Sequence, residues 1–388
     1  MVIISLVILL IILLIIGIVE SYLHIYYLKN IPIRIHVNGA RGKSSVTRLI
    51  ASGLRENGGK VLAKTTGSSP RIINEKGQDI AIHRLRSASI GEQVRLIRNF
   101  SKQNIDILII ECMAVQPQYQ WISEQKMIKS SVSVITNVRP DHLDEMGYTM
   151  NDIALSLSNS IPNNGTLVIH NDKFSNLFNE IASERKTTVK MVKENIVDED
   201  YMRKFNYFEH QDNVELALSV CEHLGVDREI ALKGILKNKP DPGALVVWQI
   251  KIKKTVNYFI SAFAANDPQS TFDICNKISD RYEGLKKCIF LNTRPDRQYR
   301  THQLLSLVYD KIIPDKLIIR GDKLESIINQ YNFESKGIEI IKFSDKSEPQ
   351  EIISKMGELD RCLIFGIGNI VGWGDRFVKE IKAFKING

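Results

Sequence analysis

Asn38-Gly39-Ala40-Arg41-Gly42-Lys43-Ser44-Ser45 decides the reading of this chain. The residues before it, Ile33-Arg34-Ile35-His36-Val37, are rich in β-branched apolar side chains and predict a strand. The residues after it, 44–57, follow helical spacing and are stopped by Gly58-Gly59. A glycine-bearing loop that joins a strand to a helix and ends in Gly-Lys-Ser is a phosphate-binding loop. Its glycines let backbone N–H groups wrap the phosphates, and the helix N-terminus adds a positive dipole. Lys43 is placed to reach the β- and γ-phosphates, and Ser44 to ligate Mg²⁺. In the common spacing G-x-x-x-x-G-K-[ST] the first glycine falls at Val37, whereas this chain carries its glycine at Gly39. Nucleotide binding through Gly39, Ala40, Arg41, Gly42, Lys43, Ser44 and Ser45 is the expectation.

Outward from the loop, strand-like and helix-like stretches alternate, which predicts an α/β domain with a mainly parallel sheet. Residues 60–64 predict a short strand and 90–102 a helix. The apolar runs 105–110 and 131–136 have the composition of strands buried on both faces. The first run ends at Glu111, at the carboxyl edge where open α/β sheets gather ligands. A carboxylate there can hold Mg²⁺ against phosphates, although a lone glutamate at a strand end is also a common surface cap. The second run opens into Thr136-Asn137-Val138-Arg139-Pro140-Asp141-His142-Leu143-Asp144. Three strand ends then meet at one edge, with Lys43, Glu111 and His142 as the catalytic candidates. Ser44, Glu111 and His142 are the candidate metal ligands, and Asn137 joins the ATP-binding set. Thr149-x-x-Asp152 has the form of a capping box.

Residues 2–19 are apolar apart from Ser5 and Gly17. As a helix they rise roughly 27 Å, about the thickness of a hydrocarbon core. Nothing basic precedes the run and no small-residue cleavage pattern follows it, so an uncleaved anchor is preferred to a signal peptide. Tyr22, Tyr26 and Tyr27 suit an interfacial belt, and the first positive charges, Lys29, Arg34 and Arg41, follow the span. That pattern places the body in the cytoplasm of a single-pass protein of the cell's inner membrane. The formal net charge of +8 suits an anionic partner and equally a solvated basic surface. No basic tail of the nucleic-acid-binding kind is present in the sequence. The five cysteines, never spaced as C-x-x-C, predict reduced buried thiols rather than a disulfide or zinc framework.

Asn238-Lys239-Pro240-Asp241-Pro242-Gly243 interrupts the alternation. The expected organisation is an anchor and interfacial segment (1–30), an ATP-binding central domain (31–243) and a smaller Rossmann-like C-terminal domain (244–388). Strands are expected near 257–263, 287–291, 316–319, 338–343 and 361–365. Gly366-Ile367-Gly368-Asn369 follows the last of them, but a turn closing a βα unit explains it as well as a cofactor would.

The shortened loop, a strand-end Glu and T-N-x-x-x-D-H-x-D, in this order, resemble the Mur ligase superfamily of ATP-dependent amide ligases. The likeness accounts for Val37, and it extends to a P-loop central domain followed by a Rossmann-like domain. Gln211-Asp212-Asn213 with Ala217 is similar to the superfamily's adenine-side asparagine motif. Ala265-Asn266-Asp267-Pro268 is similar to the start of its C-terminal domain, and 292–297 to its G-x-R-D segment. By that resemblance Asn213, Asn292, Arg294 and Asp296 join the ATP-binding set. One departure is the absence of any lysine from 143 to 166, where some members use a carbamylated lysine.

Within the superfamily, Lys64-Thr65-Thr66-Gly67, Ile90-Gly91-Glu92-Gln93, residues 111–115, 241–244 and 263–267 resemble the poly-γ-glutamate capsule synthase family. The resemblance implies ATP and Mg²⁺, an acyl-phosphate route to an amide, and glutamate with its polymer as substrates. Substrate contacts are expected from Lys64, Thr65, Thr66, Gly67, Arg71, Asn266 and Asp267, with Arg41 and Arg294 as further cations. It implies partner membrane subunits for synthesis and export, and leaves a homo-oligomer open. The rival readings are a folylpolyglutamate synthase-like ligase and a P-loop subunit that hydrolyses nucleotide to regulate a membrane complex. The apolar span disfavours the first, because a soluble pterin substrate gives no reason to sit at a membrane.

Overall fold

The computed structural model describes every residue except 1, 68–69, 83–88, 194, 206, 208, 241–244, 264, 266–267, 283 and 387–388. It divides into two compact units, Met1–Lys204 with Glu209–Lys239, and Phe205–Phe208 with Pro240–Gly388.

The first unit opens with α1 (Val2–Lys29), one unbroken helix long and apolar enough to cross a membrane. It runs ten residues past the apolar stretch, and its end is built into the domain. Leu28 and Ile31 are buried in a cluster with Leu62, Ile97, Phe100 and Ile105. His24 Nε2 meets the Met127 carbonyl at 2.7 Å. The Arg34 guanidinium donates to the carbonyls of Leu28, Ile31, Ile128 and Lys129 at 2.5–3.1 Å. Backbone acceptors thus hold the guanidinium on both sides.

Eight strands form the sheet of this unit: β1 (Ile33–Asn38), β2 (Val61–Thr65), β3 (Arg71–Ile73), β4 (Asp79–Ala81), β5 (Ile107–Glu111), β6 (Val132–Ile135), β7 (Thr166–His170) and β8 (Thr188–Val192). Their order is β4-β3-β2-β5-β1-β6-β7-β8, parallel except for the antiparallel β2-β3-β4 edge. β1 lies between β5 and β6, with Val37 opposite Glu111 and Asn38 opposite Ile135. The connection from β1 goes to β2 on one side and that from β6 goes to β7 on the other, a switch point at which the diverging connections open a crevice. β5 and β6 are buried along their whole length, as expected of strands covered on both faces. Helix α2 (Lys43–Glu56) starts from the loop and buries nine consecutive residues, Val46 to Leu54. Helix α3 (Glu92–Phe100) packs Ile97 and Phe100 into the cluster at the foot of α1. At the helix Met150–Ser158, Asp152 N donates to Thr149 Oγ1 at 3.1 Å and Thr149 N to Asp152 Oδ2 at 3.0 Å, completing the expected capping box.

The second unit holds a six-stranded sheet ordered β13-β12-β11-β14-β10-β9. Its strands are β9 (Val246–Ile252), β10 (Thr255–Ser261), β11 (Lys286–Asn292), β12 (Lys316–Gly321), β13 (Glu339–Ser344) and β14 (Cys362–Gly368). All pair in parallel except β9, an antiparallel edge strand that the sequence reading did not anticipate. Alternation along β11 separates two cores: Ile289 and Leu291 enter one cluster, Cys288 and Phe290 the other. A continuous apolar run is needed because helices cover both faces. The five cysteines are free and buried, as the spacing predicted.

Candidate active site

The loop after β1 has two glycines in the left-handed half of φ space, Gly39 at +131° and Gly42 at +81°. A Cβ on Gly39 would lie 2.1 Å from Thr136 Oγ1 and 2.8 Å from the Thr136 backbone N. The turn after β6 occupies that space and holds the loop. Ala40 N donates to the Asn137 carbonyl at 3.0 Å, and Arg41 N donates to Asn137 Oδ1 at 3.1 Å. Asn137 Nδ2 and Thr136 Oγ1 both donate to the Arg41 carbonyl, at 3.0 and 2.5 Å. Asn137 is thus a brace for the loop backbone. Gly39→Ala, through backbone strain and a clash with main chain, should destabilise the protein by about 2–4 kcal/mol. Thermal melting checks this; a variant as stable as the parent that still binds nucleotide would contradict it.

Lys43 Nζ folds back over the loop, donating to the carbonyls of Gly39 and Ala40 at 2.6 and 3.1 Å. Ser44 Oγ donates to Glu111 Oε2 at 2.8 Å, and Thr66 N donates to the same oxygen at 2.6 Å. Glu111 is 2% exposed. One carboxylate therefore ties the phosphate loop to the Lys64-Thr65-Thr66-Gly67 segment. A serine hydroxyl and a carboxylate side by side are hard oxygen donors, the set a Mg²⁺ or Mn²⁺ ion takes. The residues present fit such an ion.

Lys64 is fully buried on β2, its ammonium 3.0 Å from Glu92 Oε1 at the start of α3 and 3.5 Å from Met113 Sδ. Glu92 belongs to the Ile90-Gly91-Glu92-Gln93 motif, but the sequence reading assigned it no role; a lysine inside a predicted strand was the signal that a carboxylate must come from elsewhere. Thr65 is buried with its hydroxyl unpaired among the described residues, Gly67 is exposed, and Arg71 lies opposite Thr65 in the β2–β3 register. Arg41 approaches Asp141 at 3.7 Å. His142, half-exposed and with φ of +45°, lies 4.0 Å from Asp141 and 3.9 Å from Glu145. The structure does not join it to the Ser44–Glu111 pair.

Asn213 enters from the first turn of the helix Gln211–His223, and a Cβ on Gly42 would stand 2.5 Å from its Oδ1. Its Nδ2 donates to Glu209 Oε1 at 2.8 Å. Glu209, which the sequence reading did not single out, is buried and also accepts its neighbour's N–H from His210 at 3.0 Å. Burial raises its carboxyl to about 7, against the pull of those two hydrogen bonds. An acid so raised stabilises the fold while protonated, a contribution complete below the unfolded value near 4.5 and lost as pH climbs through about 7. Glu209→Gln should therefore gain up to about 3 kcal/mol over the parent near pH 8 and almost nothing below about pH 4.5. Melting curves across that range test it; a pH-independent difference would speak against a buried ionisable group.

In the second unit, Asn292 is buried at the end of β11, its Nδ2 donating to the Asn369 carbonyl at 2.7 Å. Its Oδ1 accepts from Arg320 at 3.2 Å, so the amide clamps β11 to the turn after β14. Arg294 forks onto Asp296 at 2.7 and 2.6 Å, and that hydrogen-bonded pair holds the Asp296 carboxyl below its ordinary value. Asn266 and Asp267 lie outside the described residues.

A phosphate loop braced by a neighbouring strand end, with a buried carboxylate on its serine, defines an ATP-dependent ligase site of Mur type. Residues 37–237 match the Mur ligase middle domain, and residues 247–384 match the poly-gamma-glutamate synthase CapB C-terminal domain. The capsule biosynthesis protein CapB of Bacillus anthracis is 38% identical over 377 residues, covering 95% of this chain and 81% of that one. PGA synthase CapB of Bacillus subtilis is 34% identical over 377 residues, covering 96% and 95%. The fold is also that of the folylpolyglutamate synthase of Thermotoga maritima, with a TM-score of 0.67 at 15% identity over 95% and 94% of the two chains. A Yersinia pestis folylpolyglutamate synthase/dihydrofolate synthase, solved with AMPPNP and Mn, gives 0.66 at 14% identity over 94% and 92%. The chain is an ATP-dependent, amide-forming ligase, and it belongs to the poly-γ-glutamate synthase CapB family within the Mur ligases.

Proposed function

We propose that this ligase elongates poly-γ-glutamate, joining glutamate to a polyglutamate chain at the cytoplasmic face of a membrane with ATP and Mg²⁺. The observation that carries the reading is the Glu111 carboxylate, which receives Ser44 of the phosphate loop and the Thr66 backbone of the neighbouring strand end. It sets an ATP site and a prospective acceptor segment on two sides of one buried group. Relatives at 38% and 34% identity, named for capsule biosynthesis and PGA synthesis, support the substrate class.

In the proposed chemistry a carboxylate oxygen of the growing chain attacks the γ-phosphorus. A carbon–oxygen–phosphorus link forms, the β–γ bond breaks and ADP leaves. The amine of the next glutamate then attacks the acyl carbon, a C–N bond replaces the C–O bond, phosphate departs and the nitrogen loses a proton. Mg²⁺ when bound would offset phosphate charge, and Ser44 and Glu111 are the residues that would hold it. Lys43 exchanges the carbonyls of Gly39 and Ala40 for phosphate oxygens, and Asn137 keeps the loop N–H groups aimed. Such catalysis is chiefly positioning and charge neutralisation.

The helix α1 supplies the anchor in this reading, and partner membrane subunits carry the polymer onward. The test is ADP release by the detergent-solubilised protein with and without glutamate and γ-linked acceptor. Stimulation by glutamate with incorporation of labelled amino acid is expected. Turnover indifferent to every amino acid would favour a regulatory NTPase, and turnover needing a pterin would favour a folylpolyglutamate synthase.

A further inference from the structure

The far end of α2 carries a second polar cavity, of about 190 Å³, lined by Arg48, Arg55, Lys76, Lys237 and Lys239 with Glu56 as the one carboxylate. Arg48, Ser52 and Arg55 recur at helical spacing on one face of α2. The edge hairpin β3–β4 brings Ile73, Lys76 and Gly77, and the chain after the helix Arg228–Leu236 brings Lys237 to Lys239. Arg55 is twelve residues beyond Lys43, roughly 18 Å along the helix axis, so the cavity is distinct from the phosphate loop.

Its cations are not equally engaged. Arg48 is spent on Asp79, through two hydrogen bonds of 3.0 and 3.1 Å. Lys237 is spent on Glu56 at 2.7 Å. Arg55 has Nε and Nη2 buried without a hydrogen-bond partner among the described residues, and burial lowers its pKa. A guanidinium left without partners at a cavity wall is costly, and an oxyanion seated against it offsets that cost. Lys76 and Lys239 are exposed at the rim and make no ion pair among the described residues. The volume is below the roughly 300–1,000 Å³ of sites for drug-sized ligands, which excludes a nucleotide and suits one carboxylate-bearing residue.

We propose that this cavity binds a carboxylate of the acidic polymer chain, holding the chain at a point apart from the phosphate loop. In a γ-linked glutamate polymer every residue keeps one free carboxylate, so a chain can seat one in Arg55 while its neighbours meet Lys76 and Lys239. The assignment of the polymer rests on the function proposed above; the site itself rests on the cavity. It predicts that acceptor affinity depends on chain length, because only a chain long enough to leave the reaction site reaches the second cavity.

The experiment uses the full chain in detergent at low salt, with fluorescently labelled γ-linked glutamate oligomers of increasing length. Arg55→Gln, and separately the surface double variant K76A/K239A, should each weaken binding of long oligomers about tenfold. Binding of the shortest oligomers and of a fluorescent ATP analogue should stay unchanged. The double variant removes only exposed lysines, so it reads the site even if Arg55→Gln folds poorly. Inorganic phosphate and free glutamate serve as competitors. Unchanged oligomer affinity in the double variant, or displacement by phosphate as effective as by the oligomer, overturns the proposal. Direct binding separates this outcome from failure of the proposed reaction: cation-dependent, length-dependent binding without glutamate-stimulated ADP release sinks the reaction and retains the site.

Discussion

Lys43→Ala should reduce amino-acid-dependent ADP release by about 10²–10³-fold, the loss typical of removing one charged contact to a transition state. Stability should change by about 1 kcal/mol or less, because among the described residues the ammonium is bonded to two loop carbonyls that water can satisfy in its place. The two readouts separate the role from the fold. A steady-state assay gives the rate, and a melting curve gives the stability. Near-normal turnover in a well-folded variant would show that the loop does not act on the γ-phosphate. Lys43→Arg should rescue poorly, since a planar fork cannot follow the short path of an ammonium across the loop.

Glu111 is the second position of large effect, and its failure should have a different signature. Glu111→Ala removes the acceptor shared by Ser44 Oγ and Thr66 N and takes the partner from that part-buried N–H. A loss of about 10²-fold or more in turnover is expected, with a further stability cost of about 1–3 kcal/mol. Glu111→Gln retains an acceptor oxygen for Thr66 but discards the negative charge. It should fold nearly as well as the parent, and excess divalent cation should restore part of its activity. Titrating Mg²⁺ against initial rate distinguishes them: the same cation requirement in both parent and Gln variant would remove Glu111 from the metal site.

The loop, Glu111 and Asn137 were legible in the sequence for one physical reason. Each sits at the carboxyl end of a strand rich in β-branched apolar residues, and β5, β1 and β6 are neighbours in the sheet. A strand end gives position without any knowledge of distant contacts. What stayed hidden depends on such contacts. The Lys64–Glu92 pair joins a strand to a helix across a segment with no periodicity. Glu209 looks like a surface residue in the sequence and becomes significant only because Asn213 folds over it beside Gly42. The β3–β4 hairpin strands have three residues each, too short for alternation to show. Asn292 illustrates the opposite difficulty. The family resemblance put it in the ATP-binding set, and the structure adds that its amide is engaged by Asn369 and Arg320.

Between the apolar stretch of α1 and the sheet there is no hinge. The helix continues to Lys29, and His24, Leu28 and Arg34 fasten its end to the domain. With the span in a bilayer, as proposed, the helix acts as a post and not as a leash. A leash would let the domain tumble and sample a volume set by its length. A post presents one azimuth, so neighbours meet the domain by a search in the plane with orientation already chosen. One residue inserted near Glu20 turns everything beyond it by about 100° and lifts it by about 1.5 Å. The spelling of that short polar stretch is thus a direction as well as a distance.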